Sequence, residues 1–61
     1  MRLTKQQKEA LENHSFLIFG NVSFYLSIDG YYSVMIDSRI IYQNADYARA
    51  RAVLSFHVDK K

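Results

Sequence analysis

The sequence predicts an α+β fold: a small antiparallel β-meander of three or four strands, a C-terminal helix packed on one face of the sheet, and a short N-terminal helix. Two observations carry this prediction. Residues 22–36 alternate large apolar side chains with Ser and Tyr on either side of Asp29-Gly30, which is the pattern of a β-hairpin. Residues 45–57 instead repeat their apolar side chains at helical spacing.

Length and composition limit the chain to one small domain, 1–61. At 61 residues a fold buries only about 60% of the surface that the unfolded chain exposes, so its stability should be marginal. The chain has no cysteine and only two histidines, which leaves no disulfide and no thiolate zinc site to reinforce it. We therefore expect no metal and no cofactor, and we expect a protein partner or self-association as a homodimer.

The distribution of charge and apolar residues gives a weak indication of the partner and the compartment. The net charge of +2 and the pI of about 9.1 are weak signs of an anionic partner, because the basic residues are scattered along the chain. The longest apolar run is Phe16–Phe19, whereas a helix needs about 20 apolar residues to span a bilayer. The N-terminus is charged and polar, unlike the apolar segment of a signal peptide. These features predict a cytoplasmic protein that does not enter a membrane.

The N-terminal helix should begin at a capping box formed by Thr4 and Gln7. In this motif the threonine hydroxyl accepts a bond from the backbone N–H of the glutamine, whose side chain reaches back to the N–H of the threonine. We expect a helix over about residues 5–13. Its apolar positions are few, so it should be peripheral, at an edge of the sheet or on the face opposite the C-terminal helix.

The strands should follow one another along the chain. Residues 15–20 form a short apolar strand, and Gly20-Asn21 is either a tight turn, which gives four strands, or a glycine bulge in one bent strand, which gives three. Strands over 22–28 and 31–36 come next. A turn at Asp37-Ser38 then leads into a last strand over 39–43.

The register of the hairpin depends on its loop. A two-residue loop at Asp29-Gly30 would mix apolar and polar side chains on both faces. A three-residue loop with Gly30 in the left-handed region collects the apolar side chains on one face, with the pairs Leu26–Tyr32, Phe24–Val34 and Val22–Ile36. A two-residue turn at Asp37-Ser38 then places Ile41 beside Val34 on that face, and Ile40 and Tyr42 on the other.

The C-terminal helix should run over about 45–57, with Asn44 as its N-cap and Asp46 near the positive end of its dipole. At about 100° per residue, one side of this helix collects the residues that should lie on the sheet: Tyr47, Ala50, Val53, Leu54 and His57. Phe56 points the other way and is a candidate self-association contact.

The second face of the sheet is the main functional clue, because it should carry no charge. It presents Ser23, Tyr25, Ser27, Tyr31, Ser33, Met35, Ile40 and Tyr42. Exposed sheet faces usually carry charged residues, whereas Tyr and Ser are typical of binding surfaces. We predict partner-binding residues there: Tyr25, Tyr31, Met35, Ile40 and Tyr42. Against this stands a structural explanation, in which the N-terminal helix or a second copy of the chain covers the face.

The sequence indicates a protein without catalytic chemistry. His14 and His57 lack a predicted nucleophile and an orienting carboxylate, while Asp29 and Asp37 are explained as turn residues. We expect a non-enzymatic interaction protein, of the kind by which phages and mobile elements modulate a host protein. The expected origin rests on the compactness of the chain, the lack of a linker and the absence of catalytic chemistry, and on no particular residue.

The alternative function is binding of single-stranded nucleic acid. The same tyrosines could stack on bases, with Arg39, Arg49 or Arg51 against phosphates. Arg49 and Arg51 are two positions apart on the predicted helix and therefore cannot form one basic stripe. Since Arg39 is predicted on the other face, the tyrosines would stand without neighbouring cations, which makes this alternative the weaker one.

Overall fold

A computed structural model describes residues 2–59 and shows an antiparallel sheet with a helix at each end of the chain. Its elements are α1 (Lys5–Glu12), β1 (Leu17–Phe19), β2 (Val22–Leu26), β3 (Tyr32–Ile36), β4 (Arg39–Asn44) and α2 (Tyr47–Asp59). The strands form one sheet in the order β1-β2-β3-β4. The predicted α+β meander is confirmed, and the choice between three and four strands is resolved at four.

The turn between β1 and β2 is the reason for the fourth strand. Phe19 pairs directly with Val22, so only Gly20 and Asn21 connect the two strands. Gly20 has a φ of +65°, and a positive φ at the first of two turn residues is the pattern of a type II′ hairpin turn. The glycine therefore reverses the chain and does not bend one long strand.

The hairpin between β2 and β3 has the predicted three-residue loop. Gly30 has a φ of +89°; its N–H donates to the carbonyl oxygen of Ser27 at 3.0 Å, and the Ser27 N–H donates to the Tyr31 oxygen at 2.8 Å. The strands then pair as expected: Leu26 with Tyr32, Phe24 with Val34 and Val22 with Ile36. The glycine conformation at Gly30 thus gives the hairpin one apolar face.

A two-residue turn at Asp37 and Ser38 connects β3 to β4, also as predicted. Both residues have a positive φ, 51° and 69°, which is the geometry of a type I′ turn. The Asp37 N–H donates to the carbonyl oxygen of Asn21 at 3.2 Å, which ties this turn to the neighbouring one. Neither residue is a glycine, so the turn stores backbone strain.

Relief of that strain should stabilise the protein. The double variant Asp37→Asn, Ser38→Gly supplies the residues that a type I′ turn prefers, and we expect the free energy of unfolding to rise by about 1 kcal/mol. Urea denaturation followed by circular dichroism measures this difference. Ser38→Ala is the matched control, because it keeps a Cβ at the strained position and should give no gain. Equal stability of the double variant and the wild type would contradict the assignment of strain.

A β-bulge in β4 overturns the predicted faces of its residues. Met35 pairs with Ile40, whereas Val34 pairs with Tyr42, so Ile41 is an extra residue without a partner across the strands. Two predictions are therefore wrong: Ile41 does not lie opposite Val34, and Tyr42 does not lie on the face away from the core. One inserted residue reverses the alternation beyond it. The bulge lets the Tyr42 ring pack against the core while its hydroxyl accepts a bond from Asn44 Nδ2 at 2.9 Å.

Both helices pack on the same face of the sheet. The buried side chains of the strands, Leu17, Val22, Phe24 and Val34, form one core with Leu3, Leu11, Ala50 and Leu54. Helix α1 contacts β1 and β2, and α2 contacts β2, β3 and β4. The possibility that α1 lies on the opposite face is therefore excluded; it lies beside α2, over the β1 edge of the sheet.

Helix α1 has the predicted start and a well-defined end. Thr4 and Gln7 form the capping box with bonds of 2.9 and 3.1 Å. After Glu12 the chain turns at His14, which has a φ of +62°, and the His14 and Ser15 N–H groups donate to the carbonyl oxygens of Leu11 and Ala10. His14 Nδ1 donates to the Leu26 carbonyl oxygen at 2.8 Å. This bond ties the end of α1 to β2.

The start of α2 lies two residues beyond the prediction, because Asp46 and not Asn44 is the N-cap. The Asp46 carboxylate accepts from the Ala48 N–H at 2.9 Å, while Asn44 Oδ1 accepts from the Asp46 N–H at 2.8 Å and forms the turn that leads into the helix. Four of the five residues predicted to face the sheet contact the core, namely Tyr47, Ala50, Val53 and Leu54. His57 is not among them; Val58 packs against the core at this end of the helix instead. Phe56 is 62% exposed and points away, as predicted.

Candidate functional site

The candidate site is the side of the sheet opposite the two helices, which we call the outer face. Strand alternation assigns to it Phe16, Ile18, Ser23, Tyr25, Ser27, Tyr31, Ser33, Met35, Ile40 and Gln43. None of these residues is charged. Because α1 and α2 both pack on the other side, no element within residues 2–59 covers the outer face.

Two rows of side chains cross the outer face. The first row contains Phe16, Tyr25, Ser33 and Gln43, and the second contains Ile18, Ser23, Met35 and Ile40. The second row is apolar except for one serine. Its two ends are the most open, with Ile18 64% and Ile40 50% exposed. The face therefore presents an apolar row beside a row that grades from aromatic to polar.

The aromatic end of the first row is preorganised by ring stacking. The rings of Phe16 and Tyr25 lie 4.5 Å apart between centroids, with planes inclined by 21°. Phe16 is still 55% exposed, so one side of the stacked pair is open to solvent. Such a pair offers a large contact surface that loses little side-chain entropy on binding.

The polar end of the first row is held by a hydrogen bond. Gln43 Nε2 donates to Ser33 Oγ at 3.2 Å, and Ser33 is fully buried beneath its neighbours although it lies on the outer face. Beyond it, the Ser27 hydroxyl accepts from the Tyr31 N–H at 3.2 Å. These bonds fix small polar side chains between larger apolar ones, so the face has a defined shape.

Four of the five predicted partner-binding residues share this face: Tyr25, Tyr31, Met35 and Ile40. Tyr42 does not, because the bulge at Ile41 turns it toward the core. Two prominent members of the face, Phe16 and Ile18, were not predicted. The sequence contains the information to find them: a two-residue turn at Gly20-Asn21 places Ile18 opposite Ser23 and Phe16 opposite Tyr25, on the outer face.

The charged side chains lie elsewhere. Arg39 pairs with Ile36 in the register of the inner face, Arg49 lies 3.6 Å from Asp46 on the exposed side of α2, and Arg51 is half-buried on the same helix. The tyrosines of the outer face therefore have no basic side chain among them. Stacking on nucleic acid bases would take place without neutralisation of the phosphates.

Phe56 belongs to a separate surface. It lies near the end of α2, where its ring meets that of His57 edge-on at 5.1 Å between centroids. It is on the helical side of the molecule and so cannot share an interface with the outer face. Its predicted role in self-association is thus independent of the role of the sheet.

Residues 2–59 contain no cluster of metal-ligating side chains and no helix that could span a membrane. That part of the chain contains no group of three or more His, Cys, Asp or Glu side chains placed to hold a metal ion. Neither of its helices is long and apolar enough to cross a bilayer.

No protein-family model, no curated protein and no solved structure matches the sequence. The outer face is therefore the feature of the molecule that bears on its function.

Proposed function

We propose that the chain is a non-enzymatic interaction protein that binds another protein through the outer face. One observation carries this proposal: a sheet face without charge, with an apolar row and a stacked aromatic pair, is left uncovered by both helices. Contiguous apolar surface of this kind is uncommon on monomeric proteins and typically marks an interaction site. Exposed sheets without a partner usually carry charged residues instead.

The composition of the outer face defines the kind of partner. An uncharged surface favours a partner that offers an apolar patch, with a few polar groups opposite the hydroxyls of Tyr25 and Tyr31 and the amide of Gln43. The molecule measures 29 × 23 × 19 Å, so one face offers roughly 600 Å² per partner, about 1,200 Å² in total, at the low end for a specific complex. Because the outer face has no charge to steer a partner toward it, the association rate constant should have the ordinary value for a protein complex.

Truncation of Tyr31 tests whether the outer face binds the partner. We expect immobilised wild-type protein to retain a defined protein from a bacterial lysate, and Tyr31→Ala to retain at most a tenth as much, because the large rigid ring is lost. Ile28→Ala is the matched control, since Ile28 is 88% exposed in the hairpin loop but, unlike Tyr31, is not one of the residues of the outer face. Quantitative mass spectrometry of the retained protein measures the difference.

Two outcomes would refute this proposal. A partner retained equally by wild type and Tyr31→Ala would exclude the outer face as the binding surface. Retention of single-stranded oligonucleotides, steeply weakened by salt and lost in Tyr25→Ala, would favour the alternative function of nucleic acid binding. The expectation of a phage-type modulator of a host protein stays a prediction, which the identity of the retained partner tests.

Self-association through Phe56 is a separate part of the proposal. Phe56 offers an exposed aromatic ring on the helical side, so two copies can pair there while both outer faces remain open. We expect the wild type to sediment as a dimer and Phe56→Ala as a monomer, with the same circular dichroism spectrum. A wild-type monomer, or a dimer that persists in Phe56→Ala, would exclude this contact.

A further inference from the structure

A second candidate site lies on the helical side of the molecule, in a cleft between the start of α1 and the first turns of α2. The cleft has a volume of about 390 Å³, within the usual range of small-molecule sites. It is lined by Arg2, Leu3, Lys8, Tyr47 and Arg51. Three of these five residues are basic, and none is acidic.

The positive charge of this cleft is concentrated although the chain as a whole is only weakly basic. Arg51 is far in sequence from Arg2 and Lys8, and it joins them only because both helices pack on one face of the sheet. An adjoining cleft of about 300 Å³, which shares Lys8 and Tyr47, is lined by one acidic residue, Glu12. Because the Arg51 side chain already interacts with another group of the protein, we expect it to attract a ligand in the cleft through its charge.

The hydroxyl of Tyr47 is the second, independent sign of a ligand. Its oxygen is buried, and it has no hydrogen-bond partner within residues 2–59, which is rare for a buried polar atom. Burial raises the pKa of the Tyr47 hydroxyl; the nearby charge of Arg51 opposes this and Tyr32 adds to it, so the phenol is protonated at neutral pH. The ring is held edge-on against Tyr32, at 5.3 Å between centroids.

Three cations and one unused O–H donor together match a phosphate group. Arg2 can donate two parallel hydrogen bonds to phosphate oxygens, and Lys8 and Arg51 act as point charges. The Tyr47 phenol, whose oxygen is buried in the free protein, donates to a further oxygen once its ring shifts toward the ligand. A phosphate monoester carries close to two negative charges at neutral pH and presents three such oxygens. We propose that the cleft between α1 and α2 binds a phosphate monoester, with its organic group against Leu3 and the ring of Tyr47.

This proposal is independent of the proposed function, because the cleft and the outer face lie on opposite sides of the molecule. The test is a titration of the ¹⁵N-labelled full chain with methyl phosphate, followed by NMR. We expect saturable shifts of the amide signals of Leu3, Lys8, Tyr47 and Arg51. Sodium chloride at the same ionic strength should not produce them, and dimethyl phosphate, with a single charge, should bind about tenfold more weakly.

Variants distinguish binding of methyl phosphate in the cleft from the general attraction of an anion to a basic protein. Tyr47→Phe removes only the buried hydroxyl and should weaken methyl phosphate about fivefold, without loss of thermal stability. Arg51→Gln should weaken it about tenfold. Arg49→Gln is the matched control: it makes the same change of charge on the same helix, outside the cleft, and should bind like the wild type.

The site would be refuted by equal shifts with sodium chloride, by equal affinity for methyl and dimethyl phosphate, or by an equal loss in Arg49→Gln and Arg51→Gln. Vesicles of phosphatidylcholine with phosphatidic acid identify the source of the monoester. Chain that sediments with these vesicles, in addition to binding methyl phosphate, would support a lipid headgroup. Chain that binds methyl phosphate and stays in solution would support a soluble phosphate ester.

Discussion

A chain that carries Phe24→Ala should be largely unfolded at 25 °C. Phe24 has no exposed surface and lies in the middle of β2, where its ring stacks on that of Tyr32 at 6.1 Å between centroids. Truncation of a buried phenylalanine costs about 3–5 kcal/mol. A domain of this size is stable by only about 3–9 kcal/mol, so this loss removes most or all of the stability.

Circular dichroism and urea denaturation measure the effect of Phe24→Ala. Tyr25→Ala is the matched control, because it truncates the next aromatic residue of the same strand, on the outer face instead of the core. We expect Tyr25→Ala to stay folded and to lose about 1 kcal/mol, chiefly its stacking on Phe16. Equal losses in the two variants would contradict the assignment of the inner and outer faces.

Replacement of Ile18 by Glu should abolish partner binding and leave the fold intact. Ile18 is the most exposed member of the apolar row, so a carboxylate there stays hydrated in the free protein. In the complex the same carboxylate would be buried against an apolar patch without a counter-charge. We expect the dissociation constant to rise at least about a hundredfold, since an unpaired charge at an interface costs several kcal/mol.

Isothermal titration calorimetry with the retained partner measures the effect of Ile18→Glu. Ile28→Glu introduces the same change of side chain and charge in the hairpin loop, which belongs to neither row, and should bind like the wild type. The melting temperatures of both variants should stay close to that of the wild type. An equal loss of affinity in both would indicate a general effect of negative charge and not a contact at the outer face.

The hairpin around Gly30 could be predicted from sequence because its determinants are local. A positive φ at one glycine and the period of two along β2 and β3 leave one register that collects the apolar side chains, and the structure has that register. The capping box at Thr4 and Gln7 is predictable for the same reason. Its two hydrogen bonds depend only on residues three positions apart.

The features that sequence reasoning missed depend on contacts between distant elements. The bulge at Ile41 follows from the burial of the Tyr42 ring against the core, which a regular alternation cannot anticipate. The position of α1 follows from the burial of Leu11 in the same core as Leu54, and so does the convergence of basic side chains in the interhelical cleft. The N-cap of α2 was predicted wrongly for a local reason: Asn44 and Asp46 are both good N-cap residues, and both side chains accept backbone bonds there, but Asp46 is the one that caps the helix.

The most direct test of the outer face is photo-crosslinking from a defined position. The chain is prepared with p-benzoylphenylalanine in place of Ile18 or, as a control, in place of Arg49, which is exposed on α2. It is then irradiated in a bacterial lysate. We predict one discrete adduct with a different protein from position 18. From position 49, which lies two turns before Phe56 on the same side of α2, we predict no adduct other than one with a second copy of the chain. An adduct with a different protein from position 49 alone, or a nucleic acid adduct from position 18, would contradict the proposal that the outer face binds a protein.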